Sequence, residues 1–270
     1  MKAIIDVGSQ SLRLLKFSSM EDLLRGDIKL EICPLARDLV DNRLNDNRKK
    51  EALKIIQGFI SSLDTNEVYL YATSALREAL DGQHFIEEII ESFGIKAEII
   101  SGDEEARLGE MGVRILAGQG QLSFLDLGGG STELLLEGSR LSFPMGVVRY
   151  NDQVRLEDYF SGLGKVQGNL YGIGGSLSVF TSLIQGINYY DRKLINGKTI
   201  SRKEINSLTI KMAALDLKER RLFLGEFSKR AETIVAAGKI LDYILGRLDK
   251  ELIYCDYTGL EAYAIDRKLV

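Results

Sequence analysis

Histidine, tryptophan, cysteine and proline are scarce in this 270-residue chain, which has one His, no Trp, two Cys and two Pro. The single histidine, His84 in the polar stretch "LDGQHF", excludes any site built from several imidazoles and reads as a surface residue. Cys33 and Cys255 are far apart and lack a Cys-x-x-Cys spacing, which argues against a disulfide framework or a structural zinc. They read as small apolar residues in a reducing compartment. No segment approaches the roughly 18 consecutive apolar residues of a membrane span, and "MKAIIDVGS" opens with no signal-type apolar region. A cytoplasmic protein without a membrane partner is expected. The net charge of -4, from 35 basic and 39 acidic residues mixed along the chain, gives no basic footprint for nucleic acid.

What is present is a repeat. "IIDVGSQSLRLLKF" at 4–17 aligns with "FLDLGGGSTELLLE" at 124–137, so that Asp6 matches Asp126, Gly8 matches Gly128 and Ser11 matches Ser131. In each copy an apolar run ends in Asp-x-Gly, a small polar turn follows, and apolar residues resume, which predicts a β-hairpin. A looser echo pairs "EVYLYATSALREAL" at 67–80 with "NLYGIGGSLSVFTSL" at 169–183, each passing from a strand through a small-residue turn into a helix.

The pattern between these motifs is mixed α/β. Third strands are expected over 27–36 and 139–145, a strand over 95–100, and helices over 46–63, 82–93 and 102–116. Beyond residue 185 helices are expected over 201–214, 216–223 and 229–248, then a short strand "ELIYC" and a final helix from Gly259. The polar, glycine-rich "AGQGQ" at 117–121 is the expected junction, giving domains 1–118 and 119–270, with the last helix able to pack back on the first domain.

Glycine-rich turns let backbone N–H groups approach phosphoryl oxygens, because no Cβ stands in the way. A single such turn is more often just a hairpin closure. Two copies, each with an aspartate at the strand end, shift the balance. In the second, Asp126 and Glu133 are spaced to lie opposite one another and share a hard cation, with Mg2+ the natural ion beside phosphate. "SGDEEARLG" at 101–109 puts Asp103, Glu104 and Glu105 in the first turn of a helix, where the helix dipole alone accounts for carboxylates. The functional reading gives one glutamate the task of orienting or deprotonating water. Arg77 follows a turn with Thr73 and Ser74, and its fork suits phosphate oxygens. Arg230 is a second candidate, set against an ordinary helix-start arginine. The basic clusters at Arg43, Arg48, Lys49, Lys50 and at Lys218, Arg220, Arg221 read first as solvated helix faces and second as guides for a polyanion.

Together, "IDVGSQSLRL", "ATSALREA", "IISGDEEARLG", "LDLGGGSTEL", "GIGGSLS" and "RAETIVAAG" resemble, in this order, the exopolyphosphatase and guanosine pentaphosphate phosphatase family. The resemblance implies an α/β fold of two ribonuclease-H-like domains of the actin-like ATPase superfamily flanking a cleft. It implies a hydrolase that removes the terminal phosphate of inorganic polyphosphate, guanosine pentaphosphate or both, with Mg2+ or another divalent cation; a homodimer is a further family expectation. Carried over by position, Glu105 is the general base, with Glu104 the alternative, and Arg77 neutralises the attacked phosphoryl group. Asp126 and Glu133 hold the metal, with Asp6 facing them. Gly8, Ser9, Gln10, Ser11, Gly128, Gly129, Gly130, Ser131, Gly174, Gly175, Ser176 and Arg230 contact phosphate. The chain departs from the family at Gln10, where asparagine is usual, at Glu232, where aspartate is usual, and in "CDYTGLEAY", which lacks an arginine and a glycine. The rival readings are a superfamily phosphotransferase (kinase) and a non-catalytic guanosine tetraphosphate sensor.

Overall fold

The computed structural model describes residues 1–36 and 41–270. In chain order the first elements are β1 (Lys2–Val7), β2 (Ser11–Phe17), α1 (Met20–Arg25), β3 (Asp27–Ile32), α2 (Asp46–Ser61), β4 (Val68–Ala72), α3 (Ser74–Glu78), α4 (Gly82–Phe93), β5 (Lys96–Ile99) and α5 (Gly102–Ala117). They are followed by β6 (Ser123–Leu127), β7 (Thr132–Leu136), β8 (Ser139–Phe143), α6 (Glu157–Phe160), β9 (Leu170–Ile173), α7 (Gly175–Ile184), α8 (Arg192–Ile195) and β10 (Thr199–Ile200). The chain ends with α9 (Arg202–Ala213), α10 (Leu217–Leu224), a 3-10 helix (Gly225–Arg230), α11 (Ile234–Leu248), β11 (Leu252–Tyr254) and α12 (Gly259–Asp266).

These elements form two compact units: Met1–Gly112 with Gly259–Val270, and Val113–Thr258. The division falls inside α5 rather than in the glycine-rich 117–121 segment. Leu108 and Met111 of that helix pack with β1, β2 and α12 residues of unit one, whereas Val113 and Leu116 pack with β6 residues of unit two. The helix itself ends at Ala117, where Gly118 turns left-handed and its N–H bonds the Arg114 carbonyl.

Among the described residues, the sheet of unit one runs β3-β2-β1-β4-β5 and that of unit two β10-β11-β9-β6-β7-β8. β1 pairs antiparallel with β2 and parallel with β4; β6 pairs antiparallel with β7 and parallel with β9. Apart from the edge strand β10, the two sheets share one topology, so the internal repeat is a repeat of architecture. The central strands are buried on both faces, as their continuous apolar runs require: Ile4, Ile5, Val7, Leu125 and Leu127 are all at most 3% exposed.

Both third strands are shorter than expected, and for one reason. β3 stops at Ile32 and β8 at Phe143, just ahead of Pro34 and Pro144, the chain's only prolines. Proline has no N–H to extend a ladder. The expected helix 229–248 begins at Ile234, after the 3-10 turn and Gly225 at φ 57°. The Ala231 carbonyl, which a longer helix would use, accepts instead from Arg220 at 3.0 Å. α1, a single short helix, has no periodicity to read; Ser19 caps it and Gly26, left-handed at φ 68°, ends it. His84 is exposed in the first turn of α4.

The charged clusters are mostly engaged within the fold. Arg48 pairs with Glu51 at 2.9 Å, and Lys49 with both Asp46 and Asp81. Arg220 donates to the carbonyls of Met212, Leu215 and Ala231, and Arg221 reaches Glu232 at 3.2 Å. These contacts favour the structural reading of both basic clusters over polyanion guidance.

Two polar networks fix the last part of the chain. In unit two, Arg192 and Asp256, 6% exposed each, meet at 2.5 Å, and Tyr190 and Tyr254 donate their hydroxyls to the same carboxylate. Burial, reinforced by the Asp256 charge, pushes both phenols above their ordinary range. Removing one member of a buried pair strands the other charge, so Arg192→Met is expected to lower unfolding stability by about 3 kcal/mol or more, measured by urea denaturation. In unit one, Arg107 grips Asp266 through two parallel bonds of 2.6 and 2.9 Å, and Arg267 bridges Glu98 and Glu104. The Arg107 bond holds the Asp266 carboxyl below the ordinary range, against the opposing effect of burial. A carboxylate with a depressed folded pKa adds stability above its unfolded value, near 3.9, and loses it as pH falls through the folded one. Arg107→Met is therefore expected to cost about 1 kcal/mol at neutral pH, the size of a solvent-screened pair, and the difference from wild type should vanish in acid denaturation series below that range.

Candidate functional site

The first-copy turn lies in unit one. The N–H of Gly8 donates to the Ser11 carbonyl at 3.0 Å, closing the β1–β2 hairpin. The chain leaving β3 then crosses back: Cys33 N–H bonds the Gln10 carbonyl at 3.0 Å and Ala36 N–H the Ser9 carbonyl at 3.2 Å. The Ser9 hydroxyl meets that of Ser74, at the start of α3, at 2.6 Å. The turn's carbonyls are thus tied on one side, and no acceptor among the described residues takes the N–H of Ser9 or Gln10.

The second-copy turn in unit two repeats this construction. Gly128 N–H donates to the Ser131 carbonyl, again at 3.0 Å. The segment leaving β8 crosses back in the same way, with Val147 N–H on the Gly128 carbonyl at 3.1 Å and Val148 N–H on the Gly129 carbonyl at 2.8 Å. No acceptor among the described residues takes the N–H of Gly129 or Gly130. None of Gly8, Gly128, Gly129 and Gly130 adopts a positive φ. Space rather than backbone conformation is limiting at Gly8 and Gly128, where a Cβ would lie a tight 3.2 or 3.1 Å from the carbonyl of Ser11 or Ser131.

The cross-strand partners of the two hairpins differ. Asp126 stands directly opposite Glu133 in the β6–β7 ladder, so two half-buried carboxylates share one face. Ser142 Oγ lies 3.4 Å from Glu133 Oε1. At the same place in unit one, Asp6 stands opposite Arg13, which donates Nε to Asp6 Oδ2 at 2.9 Å and adds a contact from Nη2. Burial works against the Arg13 charge, but Asp6 and its neighbours outweigh it and keep the guanidinium firmly protonated. Asp6 is 4% exposed, and its Oδ1 has no hydrogen-bond partner among the described residues.

Around the second hairpin the β9–α7 turn supplies backbone. Gly174 is at φ 103°, and a Cβ there would fall 2.9 Å from Asp126 Oδ1, so the turn and the aspartate are neighbours. Ser176, 2% exposed, lies in the first turn of α7. The Arg230 guanidinium lies on Gly175, with Nη2 2.1 Å from where a Cβ would stand. Arg230 closes the 3-10 turn instead of opening a helix. One residue escaped the sequence reading: Arg149, exposed, whose Nε and Nη2 lie 3.6 Å from a Cβ built on Gly130. An arginine five residues after the second proline was its only signal.

In unit one, Arg77 and Glu105 are brought together: Arg77 Nη1 lies 2.9 Å from Glu105 Oε2 and 3.1 Å from the Ile100 carbonyl. Glu104, one position earlier, points elsewhere, bound by Arg267 at 2.6 Å with Arg107 at 3.8 Å. Ser101 caps this end of α5, its hydroxyl accepting from Glu104 N–H and its carbonyl from Glu105 N–H.

No cluster of three or more His, Cys, Asp or Glu residues suited to a metal ion occurs among the described residues. The oxygen-only donor set of Asp126 and Glu133 nevertheless fits Mg2+, which commonly takes one or two carboxylates and completes its shell with water and phosphate oxygens. Asp6 fits less well, with one oxygen committed to Arg13.

The two units share one strand order, β3-β2-β1-β4-β5 in the first and β8-β7-β6-β9-β11 in the second. Residues 36–165 match the model of the Ppx/GppA phosphatase family, the family that the motifs resemble. The fold superposes on the Aquifex aeolicus member of that family with a TM-score of 0.77 at 23% identity, covering 99% of this chain and 97% of that one. It superposes on an exopolyphosphatase from Cytophaga hutchinsonii with a TM-score of 0.81 at 20% identity, covering 98% and 97%. A curated relative, the bifunctional 3-dehydroquinate synthase/phosphatase of Fusobacterium nucleatum, is 26% identical over 296 residues, 94% of this chain. The chain spans 44% of that relative's length. No helix among the described residues is long and apolar enough to cross a membrane.

The close approach behind the second turn is testable. A Cβ on Gly146 would stand 2.5 Å from the Gly129 carbonyl oxygen and 2.7 Å from that of Gly128. Backbone cannot yield as a side chain does, so Gly146→Ala should cost about 1–3 kcal/mol, seen as a lower thermal midpoint. Gly58→Ala in α2, where a Cβ meets nothing within 4 Å, should hold or slightly raise the midpoint.

Proposed function

We propose that this chain is a divalent-cation-dependent phosphohydrolase that releases the terminal phosphate of inorganic polyphosphate, guanosine pentaphosphate or both. The family match supports phosphatase-type chemistry on phosphoanhydrides. The observation that carries the reading is the β6–β7 hairpin: a turn with its carbonyls tied back, amides without protein acceptors, and Asp126 directly opposite Glu133. Tied carbonyls and open amides leave a concentration of positive partial charge suited to phosphoryl oxygens.

In unit two, the N–H groups of Gly129 and Gly130 and the start of α7 hold phosphate, and Arg230 adds a guanidinium beside Gly175. Asp126 and Glu133 would hold Mg2+, which would supply charge neutralisation. In unit one, Glu105 is the general base: it takes a proton from water as the water oxygen bonds the terminal phosphorus and the phosphoanhydride P–O bond breaks. Arg77, which donates Nη1 to Glu105 Oε2 at 2.9 Å, neutralises the attacked phosphoryl group. The fastening of Glu104 to Arg267 and Arg107 supports the choice between the two glutamates.

Glu105→Gln should lower kcat about a hundredfold or more while leaving polyphosphate affinity near that of wild type. Glu104→Gln should lower the thermal midpoint and leave kcat within about threefold, well short of the loss of a general base. Phosphate release from tripolyphosphate, longer polyphosphates and guanosine pentaphosphate, with and without a chelator, measures both. Equal kcat in wild type and Glu105→Gln would remove the proposed base, and phosphate transfer from ATP without hydrolysis would replace the hydrolase by a kinase.

A further inference from the structure

We infer that Arg149 is a second phosphate-binding residue of the β6–β7 turn and that it selects ligands carrying at least two linked phosphates. The inference rests on the reading of that turn as a phosphate cradle. The Arg149 guanidinium lies beside Gly130, at 3.6 Å from a Cβ built there, on the segment whose Val147 and Val148 amides hold the Gly128 and Gly129 carbonyls. Its position is therefore fixed to the turn by backbone hydrogen bonds one and two residues away.

Three features distinguish it from an ordinary surface arginine. First, no carboxylate among the described residues pairs with it; its one side-chain hydrogen bond among them is a long contact of 3.4 Å from Nη1 to the Pro144 carbonyl. Most of its five N–H donors are consequently left to solvent or a ligand. Second, it adjoins Gly130, whose N–H also lacks a protein acceptor among the described residues. Third, Asp126 and Glu133 lie on the two strands leading into and out of the turn, whereas Arg149 adjoins the turn itself. A phosphoryl group bonded by the turn amides would fill their donors, and the guanidinium beside them would take oxygens of the next phosphoryl group along a linked chain. A planar guanidinium that donates to two oxygens at once suits a diphosphate linkage better than a lysine would.

The test is direct binding of tripolyphosphate and of orthophosphate by isothermal titration calorimetry in the presence of Mg2+, on wild type, Arg149→Met and Arg149→Lys. Arg149→Met should weaken tripolyphosphate about tenfold, the loss of a charge-assisted bond, and orthophosphate by less than about twofold. Arg149→Lys should recover only part of the tripolyphosphate affinity. Thermal midpoints should be unchanged, because the side chain is exposed. Equal tripolyphosphate affinity in wild type and Arg149→Met would overturn the assignment, as would an equal fall for both ligands or no binding by wild type. If wild type binds tripolyphosphate but hydrolyses none of the proposed substrates, the hydrolase reading fails while the role of Arg149 stands or falls on these affinities.

Discussion

Each glycine turn depends on the chain crossing back behind it and accepting its place through the turn's own carbonyls. In unit one the amides of Cys33 and Ala36 perform this task, and in unit two those of Val147 and Val148. A hairpin turn carries both donors and acceptors, and alone it has little preference for an anion. Once its carbonyls are occupied from behind, the field on the other side is dominated by N–H groups. The two prolines belong to this device. By ending β3 and β8 they release the chain from the ladder where it must turn back, so a residue type that is rare in the sequence occupies matching places in both halves.

One architecture used twice leaves two hairpins with the same backbone and different charge. Where unit two has Asp126 facing Glu133, unit one has Asp6 facing Arg13. Two carboxylates across a ladder repel, whereas a carboxylate and a guanidinium neutralise one another. The arrangement assigns opposite electrostatic tasks to equivalent positions. It gives unit one an internal cation that no chelator removes.

Much of this was legible because it is local. The hairpins, the facing of Asp126 and Glu133, and the central strands follow from alternation and from glycine spacing, which act within about a dozen residues. What escaped reading depends on contacts between distant segments. The ends of the third strands were missed although the prolines were visible, because their role appears only when residues 33–36 and 146–149 lie behind turns some distance away in sequence. The start of α11 was misplaced because the Arg220 side chain, from the preceding helix, claims the carbonyl that would have extended it. Glu104 and Glu105 are adjacent in sequence and alike in chemistry, and only the partners supplied by α12 and α3 separate them.

The last helix carries a consequence for how the molecule is made. Unit two is one continuous stretch, whereas unit one needs Gly259–Val270 in addition to its first 112 residues. Leu260, Ala262 and Ala264 of α12, fully buried, fill the cluster under β1 and β2. During synthesis the first segment therefore waits with an open apolar face while the whole of the second unit is translated, and contacts between the chain's opposite ends close it last. The core of unit one is thereby completed only after unit two has been made.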